Sequence, residues 1–222
     1  SKKRNILKLC IGLLFFVSNL KAQNIFVENK GQFASQVNAK VNLPSGSLFI
    51  EQGVLVYAFY SASQLASVHD LTTKNRHIDA HSYKTEFVNS NKNILTKFLE
   101  ESVYYENYYL GEKSRWTNNV KSYKKLYQEG VYDNIDIKYY TDDDRLKYDI
   151  IVAPNGLVDQ VQIKYVGLEK IRLKGGDLFL TTTVNTVREL KPYAYQIING
   201  SEVEITCRYE LKNNMLSFVF PE

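Results

Sequence analysis

The sequence predicts an all-β fold: an antiparallel β-sandwich rich in hairpins, with at most one or two short helices. Three observations predict it. From about Gln36 onward, apolar and polar residues alternate with period two, the pattern of an extended strand with one face buried. Turn-forming pairs such as Gln52-Gly53, Gly175-Gly176 and Asn199-Gly200 interrupt that alternation at short intervals. Only Ser63 to Asp70 and Lys121 to Gln128 read as helical, and neither is long enough to form a layer of its own.

Taken in order, the chain opens on a segment that reads as a cleavable secretory leader, residues 1–22. Lys2, Lys3 and Arg4 form a positive start, and Ile6 to Leu20 is a mainly apolar run broken by Lys8, Ser18 and Asn19. Leu20-Lys21-Ala22 offers a small residue at the expected cleavage position, so the mature chain is expected to begin at Gln23. The clean apolar part, Leu9 to Val17, is far shorter than the roughly 20 residues of a membrane-spanning helix. Cys10 lies inside the apolar run without a small residue just before it, which argues against lipidation.

Strands are then expected in hairpin pairs. Ser47 to Glu51 and Val54 to Tyr60 flank Gln52-Gly53, and Ile135 to Tyr140 and Leu146 to Val152 flank Thr141 to Arg145. Ile171 to Leu173 and Leu178 to Val184 flank Lys174 to Asp177, and Tyr193 to Ile198 and Glu202 to Leu211 flank Asn199-Gly200. Asn213-Asn214 leads into Leu216 to Phe220. Asn199-Gly200 is the sharpest of these signals, because both central residues of a type I′ turn need positive φ and this pair tolerates it. His81 to Asn89 and Leu157 to Tyr165 read as further strands, and the polar run Ser67 to Ala80 reads as a long loop.

Charge and cysteine content narrow the function classes. The leader holds Lys2, Lys3, Arg4, Lys8 and Lys21 and no acid; removing these five from 28 basic residues leaves 23 against 24 acids. A mature chain of net charge −1 lacks the basic surface that phosphate binding requires, so nucleic acid is not an expected partner. Residues 23–222 are expected to form a single domain. Cys207 is the one cysteine left in it, so no internal disulfide forms. It alternates with Val203, Ile205, Tyr209 and Leu211 and reads as a small core residue.

No catalytic residue is identified and no cofactor is implied. No Ser lies in a Gly-x-Ser-x-Gly turn, and no pair of acids stands out for glycoside cleavage. His77, Asp79 and His81 share a face if extended, with His69 nearby, and Asp142, Asp143 and Asp144 are adjacent. Neither set has the spacing of a known zinc or calcium site, so no metal is expected; His77, His81, Asp142 and Asp144 are the candidates if one binds. Aromatics cluster at Tyr104, Tyr105, Tyr108, Tyr109 and Trp116, then Tyr123, Tyr127 and Tyr132. Strand cores absorb such residues, so burial is the expectation for Trp116. If exposed instead, Tyr108, Tyr109 and Trp116 are the candidate binding residues, since flat rings match the apolar faces of sugars.

Several ordered blocks resemble a known family. Phe26-Val27-Glu28-Asn29-Lys30-Gly31-Gln32-Phe33 is similar to the F-x-E-N-x-G-Q opening of an uncharacterised N-terminal domain of large bacterial surface proteins. Those proteins carry beta-propeller repeats, PKD-like modules and gliding-motility-associated or type IX secretion sorting domains. Asn107-Tyr108-Tyr109-Leu110-Gly111 with Trp116, Asn119-Val120 and Tyr123 resembles its second block. Gly130 to Asp136, Leu146 to Asp149 with Pro154, and Lys191 to Gln196 with Gly200 resemble the rest, so the likeness spans about Ile25 to Phe220. The resemblance implies surface display and no catalytic residues. For the matched polar residues Asn29, Gln32, Asp136 and Asp149, binding of loop backbone is the economical reading.

The expected function is a non-catalytic structural or adhesion module of an exported bacterial cell-surface protein. Its expected partners are surface polysaccharide or another cell-surface protein, with no membrane span after processing. A carbohydrate-binding module and an extracellular hydrolase domain are the alternatives.

Overall fold

The computed structural model describes residues 6–15, 25–67, 77–109, 111–142 and 145–221. His69 and Asp144 lie outside the described residues, as do residues 1–5 and 16–22 of the expected leader. Eighteen strands are described. They are β1 (Leu7–Phe15), β2 (Phe26–Glu28), β3 (Ala39–Leu43), β4 (Gly46–Ile50), β5 (Val54–Tyr60) and β6 (Ala80–Phe87). Then follow β7 (Leu95–Tyr108), β8 (Thr117–Tyr132), β9 (Ile135–Asp142), β10 (Arg145–Val152), β11 (Ile163–Val166) and β12 (Lys170–Lys174). The last six are β13 (Asp177–Thr181), β14 (Thr186–Glu189), β15 (Tyr193–Ile198), β16 (Ser201–Ile205), β17 (Arg208–Lys212) and β18 (Met215–Val219). One α-helix, α1 (Ala62–Ser67), accompanies them.

The all-β, antiparallel and hairpin-rich expectation holds, and the sheet curls into a nearly closed, barrel-like arrangement. From β17, hydrogen-bonded neighbours run β18, β11, β6, β5, β4, β3, β2 and β8. The path continues through β9, β10, β1, β15 and β16. Among the described strands β7 pairs with β8 alone, and β12, β13 and β14 join through the pairing of β14 with the end of β1. One cluster of buried residues, drawn from nearly all these strands, fills the interior. Closing a sheet on itself removes most edges, which is how a chain this rich in strands avoids edge-to-edge pairing.

Turn chemistry fixes the hairpins. Asn199 and Gly200 have φ of 54° and 86° and join Ile198 to its partner Ser201, the type I′ geometry their sequence demands. Asn213 and Asn214, at 51° and 60°, do the same between Lys212 and Met215.

Four expectations are corrected. Lys121 to Gln128 is not helical but lies within β8. Its inward positions include Ser122 and Gln128, both fully buried, so the alternation is real but not visible in hydrophobicity. Glu202 to Leu211 is not one strand: β16 ends at Ile205 and β17 begins at Arg208, with half-buried Cys207 at the break. The chain changes partner there, from β15 to β18. Leu157 to Tyr165 begins with a 3-10 turn at Val158–Gln160 and becomes a strand only at Ile163. Lastly, Leu178 to Val184 is shorter than expected, since β13 ends at Thr181 and Thr182 turns back through its Oγ1, which accepts from the N–H groups of Val184 and Asn185.

Residues 7–15 of the expected leader form β1, seated between β10 on one side and β15 and β14 on the other. Leu9, Ile11 and Leu13 point into the core and are 0–1% exposed. An apolar run of this length suits a buried strand as well as it suits a leader.

Candidate functional site

The first block of the resemblance builds β2 and the loop that follows it. Asn29 closes the loop after β2 from both ends of its amide. Its Nδ2 donates to the carbonyls of Ala34 (2.9 Å) and Val37 (2.8 Å), and its Oδ1 accepts from the N–H groups of Gly31 (2.9 Å) and Phe33 (3.2 Å). Gln32 adds a second clasp, accepting from the Lys30 N–H at 2.7 Å and donating to the Glu28 carbonyl at 2.7 Å. Glu28 then accepts from the Lys121 N–H at 3.1 Å, tying the loop to β8. Asn29 and Gln32 therefore bind loop backbone, as their residue types suggest.

This clasped loop presents Phe33 over an apolar cavity of about 330 Å³, lined by Phe33, Ala34, Val37, Phe49, Glu51 and Val56. The Phe33 ring meets Phe49 edge-on at 5.9 Å and Tyr108 edge-on at 5.4 Å. Tyr108 belongs to β7, so Phe33 touches both the cavity and the β7–β8 ribbon. Tyr108 donates to Glu106, and burial with that carboxylate pushes its hydroxyl well above the ordinary tyrosine range.

The ribbon itself is a solvated arm. Among the described residues β7 pairs only with β8, and its register slips between Glu101 and Tyr105 and again between Glu106 and Tyr108, which twists the arm. At its tip, Asn107 Oδ1 accepts from the Asn119 N–H at 2.8 Å, and Trp116 Nε1 donates to the Gly111 carbonyl at 3.3 Å. Gly111 has a φ of 72°, which few residues but glycine adopt. Trp116 is 43% exposed and Tyr109 is 54% exposed, so the expectation that Trp116 lies in the core is corrected. Val103, Tyr104 and Tyr105 are exposed on the same arm, whereas Tyr132 at its base is buried. Val120 and Ser122 of the same ribbon are fully buried, so only part of the arm is covered and the exposed aromatics lie on the part that is not. The Tyr109 and Trp116 rings meet at 76°, an edge-to-face pair rather than a flat platform.

Among the described residues the candidate histidines and acids do not converge on one site. His81 Nδ1 accepts from the Thr183 N–H (3.3 Å) and lies 3.1 Å from its hydroxyl, so Nε2 carries the proton and donates to the Gly167 carbonyl at 2.6 Å. His77 pairs with Asp79 at 2.9 Å, and Asp79 also holds Gln64 of α1. Asp142 lies at the end of β9 and pairs with Lys147, which holds its carboxyl below the ordinary range. Among the described residues no three His, Cys, Asp or Glu side chains gather as metal ligands. Burial pushes the Cys207 thiol up to about 11, so it stays protonated at neutral pH.

Sequence reading missed an interior polar cluster. Glu189, 2% exposed, accepts from the Tyr165 hydroxyl at 3.0 Å, and burial raises its carboxyl to about 7. Tyr57 and Tyr83 stack beside it at 4.7 Å, and the Tyr83 hydroxyl has no hydrogen-bond partner among the described residues. The signal was present in Thr186-Val187-Arg188-Glu189, where an inward Val187 dictates an inward Glu189 two residues on. Asp149 accepts from the Tyr140 hydroxyl at 2.9 Å, a side-chain partner where a backbone one was expected.

Compared with known proteins, residues 26–222 match the model of a family described as domain of unknown function DUF7948. No curated protein and no solved structure matches the chain. Among the described residues no helix is long and apolar enough to cross a membrane.

Proposed function

We propose that this chain, which belongs to the family described as domain of unknown function DUF7948, is a non-catalytic adhesion module of an exported bacterial cell-surface protein. Its contact surface is the β7–β8 arm together with the cavity lined by Phe33, which Tyr108 of the arm touches. One observation carries the reading: Val103, Tyr104, Tyr105, Tyr109 and Trp116 are exposed together on a ribbon whose tip is fixed by hydrogen bonds. A cluster of exposed aromatics on a fixed backbone costs solubility and suits recognition of a partner, because rigid rings lose little freedom on binding. Leader-like residues 1–22 and the surface-protein resemblance support export, and the resemblance supports the companion propeller, PKD-like and sorting modules.

A carbohydrate-binding role is the second reading, favoured by the exposure of Trp116 and Tyr109. Their edge-to-face geometry favours a protein surface over a planar sugar ring.

The test is a double substitution, Tyr109→Ala with Trp116→Ala, in the exported protein. Both side chains are about half exposed, so the melting temperature should fall by no more than about 3 °C. Adhesion of protein-coated beads to bacterial cells should drop at least about tenfold, as for loss of central aromatic contacts. Retention on cellulose or chitin, lost in the variant, would support the carbohydrate reading instead. Unchanged behaviour in both assays would remove the arm from function.

A further inference from the structure

The position of β1 differs from every other strand position in what occupies it. Its residues belong to the segment expected to be removed on export, and the family match begins at Phe26, eleven residues beyond its end. Yet β1 sits in the middle of the sheet. Leu7 to Gly12 pair with Val152 to Lys147 of β10 on one side, and Leu7 to Cys10 pair with Gln196 to Tyr193 of β15 on the other. Leu13 to Phe15 then pair with Glu189 to Val187 of β14, and the Leu190 N–H donates to the Gly12 carbonyl at 2.8 Å.

Removing β1 leaves β10 facing β14 and β15 across two strand spacings, about 9.5 Å, too far for direct pairing. It bares three strand edges together with the pockets that hold Leu9, Ile11 and Leu13. Unpaired backbone groups beside an apolar trough are a template for strand addition.

We propose that this position is a strand-acceptor slot, filled in the processed protein by an extended segment of a partner polypeptide running antiparallel to β10, β14 and β15. The inference rests on the processing step in the proposed function. The seated strand gives the chemistry of the occupant: aliphatic side chains at three alternate positions, and a cation just before the first, where Lys8 lies 5.8 Å over the Tyr195 ring. Backbone pairing supplies affinity, and the three alternate pockets supply register and selectivity.

The test starts from the full sequence expressed with its leader in an exporting bacterium, with the exported product characterised by intact mass. A product beginning at Gln23 establishes that the slot has been vacated. A fluorescent synthetic peptide of residues 6–15, carrying added lysines for solubility, is then titrated against it. Binding that weakens at least about tenfold when the peptide's Leu9, Ile11 and Leu13 are replaced by Lys supports the slot, since each replacement places a charge in an apolar pocket. A product beginning at Gln23 that ignores the parent peptide overturns the slot while leaving processing intact. An exported product that retains residues 1–22 overturns processing, and the slot as an acceptor falls with it.

Discussion

Glu189 is the residue whose chemistry the fold changes most. Its carboxyl is 2% exposed, and burial lifts it to about 7 against the single compensating bond from Tyr165. In the unfolded chain the same group titrates near its ordinary value of 4.5. Between those two values the native state holds a proton that the unfolded state has released. This group's contribution to stability is therefore full below about 4.5, falls as pH rises to about 7, and is level above. The integrated loss is on the order of 3 kcal/mol. Glu189→Gln keeps an acceptor for Tyr165 and cannot ionise. Urea melts of parent and variant from pH 4 to pH 8 should give nearly equal stability at the acid end and a growing advantage for the variant toward pH 8. A constant difference across that range would mean that Glu189 does not titrate in the folded protein.

At the scale of elements, the bend in β8 shows how one side chain sets a strand's course. Gln128 pairs with Ile137 and Tyr132 with Ile135, so three residues of β8 oppose the single residue Asp136 of β9. Gly130 sits in this bulge with a φ of 67°. Asp136 fixes it, accepting from the Gly130 N–H at 2.8 Å and the Tyr127 hydroxyl at 3.0 Å, while Asn91 Nδ2 donates to the Gly130 carbonyl at 2.9 Å. On the arm side of this bulge, Lys125 to Gln128 pair with β9 on one edge and with β7 on the other, and the arm extends from there. Asp136→Ala strips both partners of their acceptor and should cost about 1–3 kcal/mol in denaturant unfolding. A loss below about 0.5 kcal/mol, the level of an ordinary surface change, would show that the bulge holds without it.

For the molecule as a whole, the closing pairs join segments far apart in sequence. Phe26 pairs with Tyr123, Ile163 with Phe87, and Leu7 with Gln196. Each requires loop closure before its contacts form, which slows folding relative to a chain of local contacts. Refolding from urea, followed by tyrosine fluorescence because Trp116 is half solvated, should therefore proceed in milliseconds to seconds or more slowly. A dominant microsecond phase that restores all native signal would contradict that topology.

Strands whose alternation is written in hydrophobic residues, such as Val54–Tyr60 and Tyr193–Ile198, are legible without any partner. So are the turns whose φ values few residues tolerate, Asn199-Gly200 foremost, and the backbone-binding roles of Asn29, Gln32 and Asp136. These are local properties, fixed by steric limits and hydrogen bonds a few residues away. Tertiary structure decided what depends on distant partners. It made a strand of Lys121 to Gln128, because Ser122 and Gln128 find acceptors and donors inside the sheet. It left Trp116 half exposed at the tip of the arm, while Val120 and Ser122 of the same ribbon are covered. It buried Glu189, and it seated residues 7–15 where only a strand between β10 and β15 satisfies the backbone on both sides. Period and turn chemistry specify which segments extend; which edges meet and which face is covered follow only once the sheet has curled.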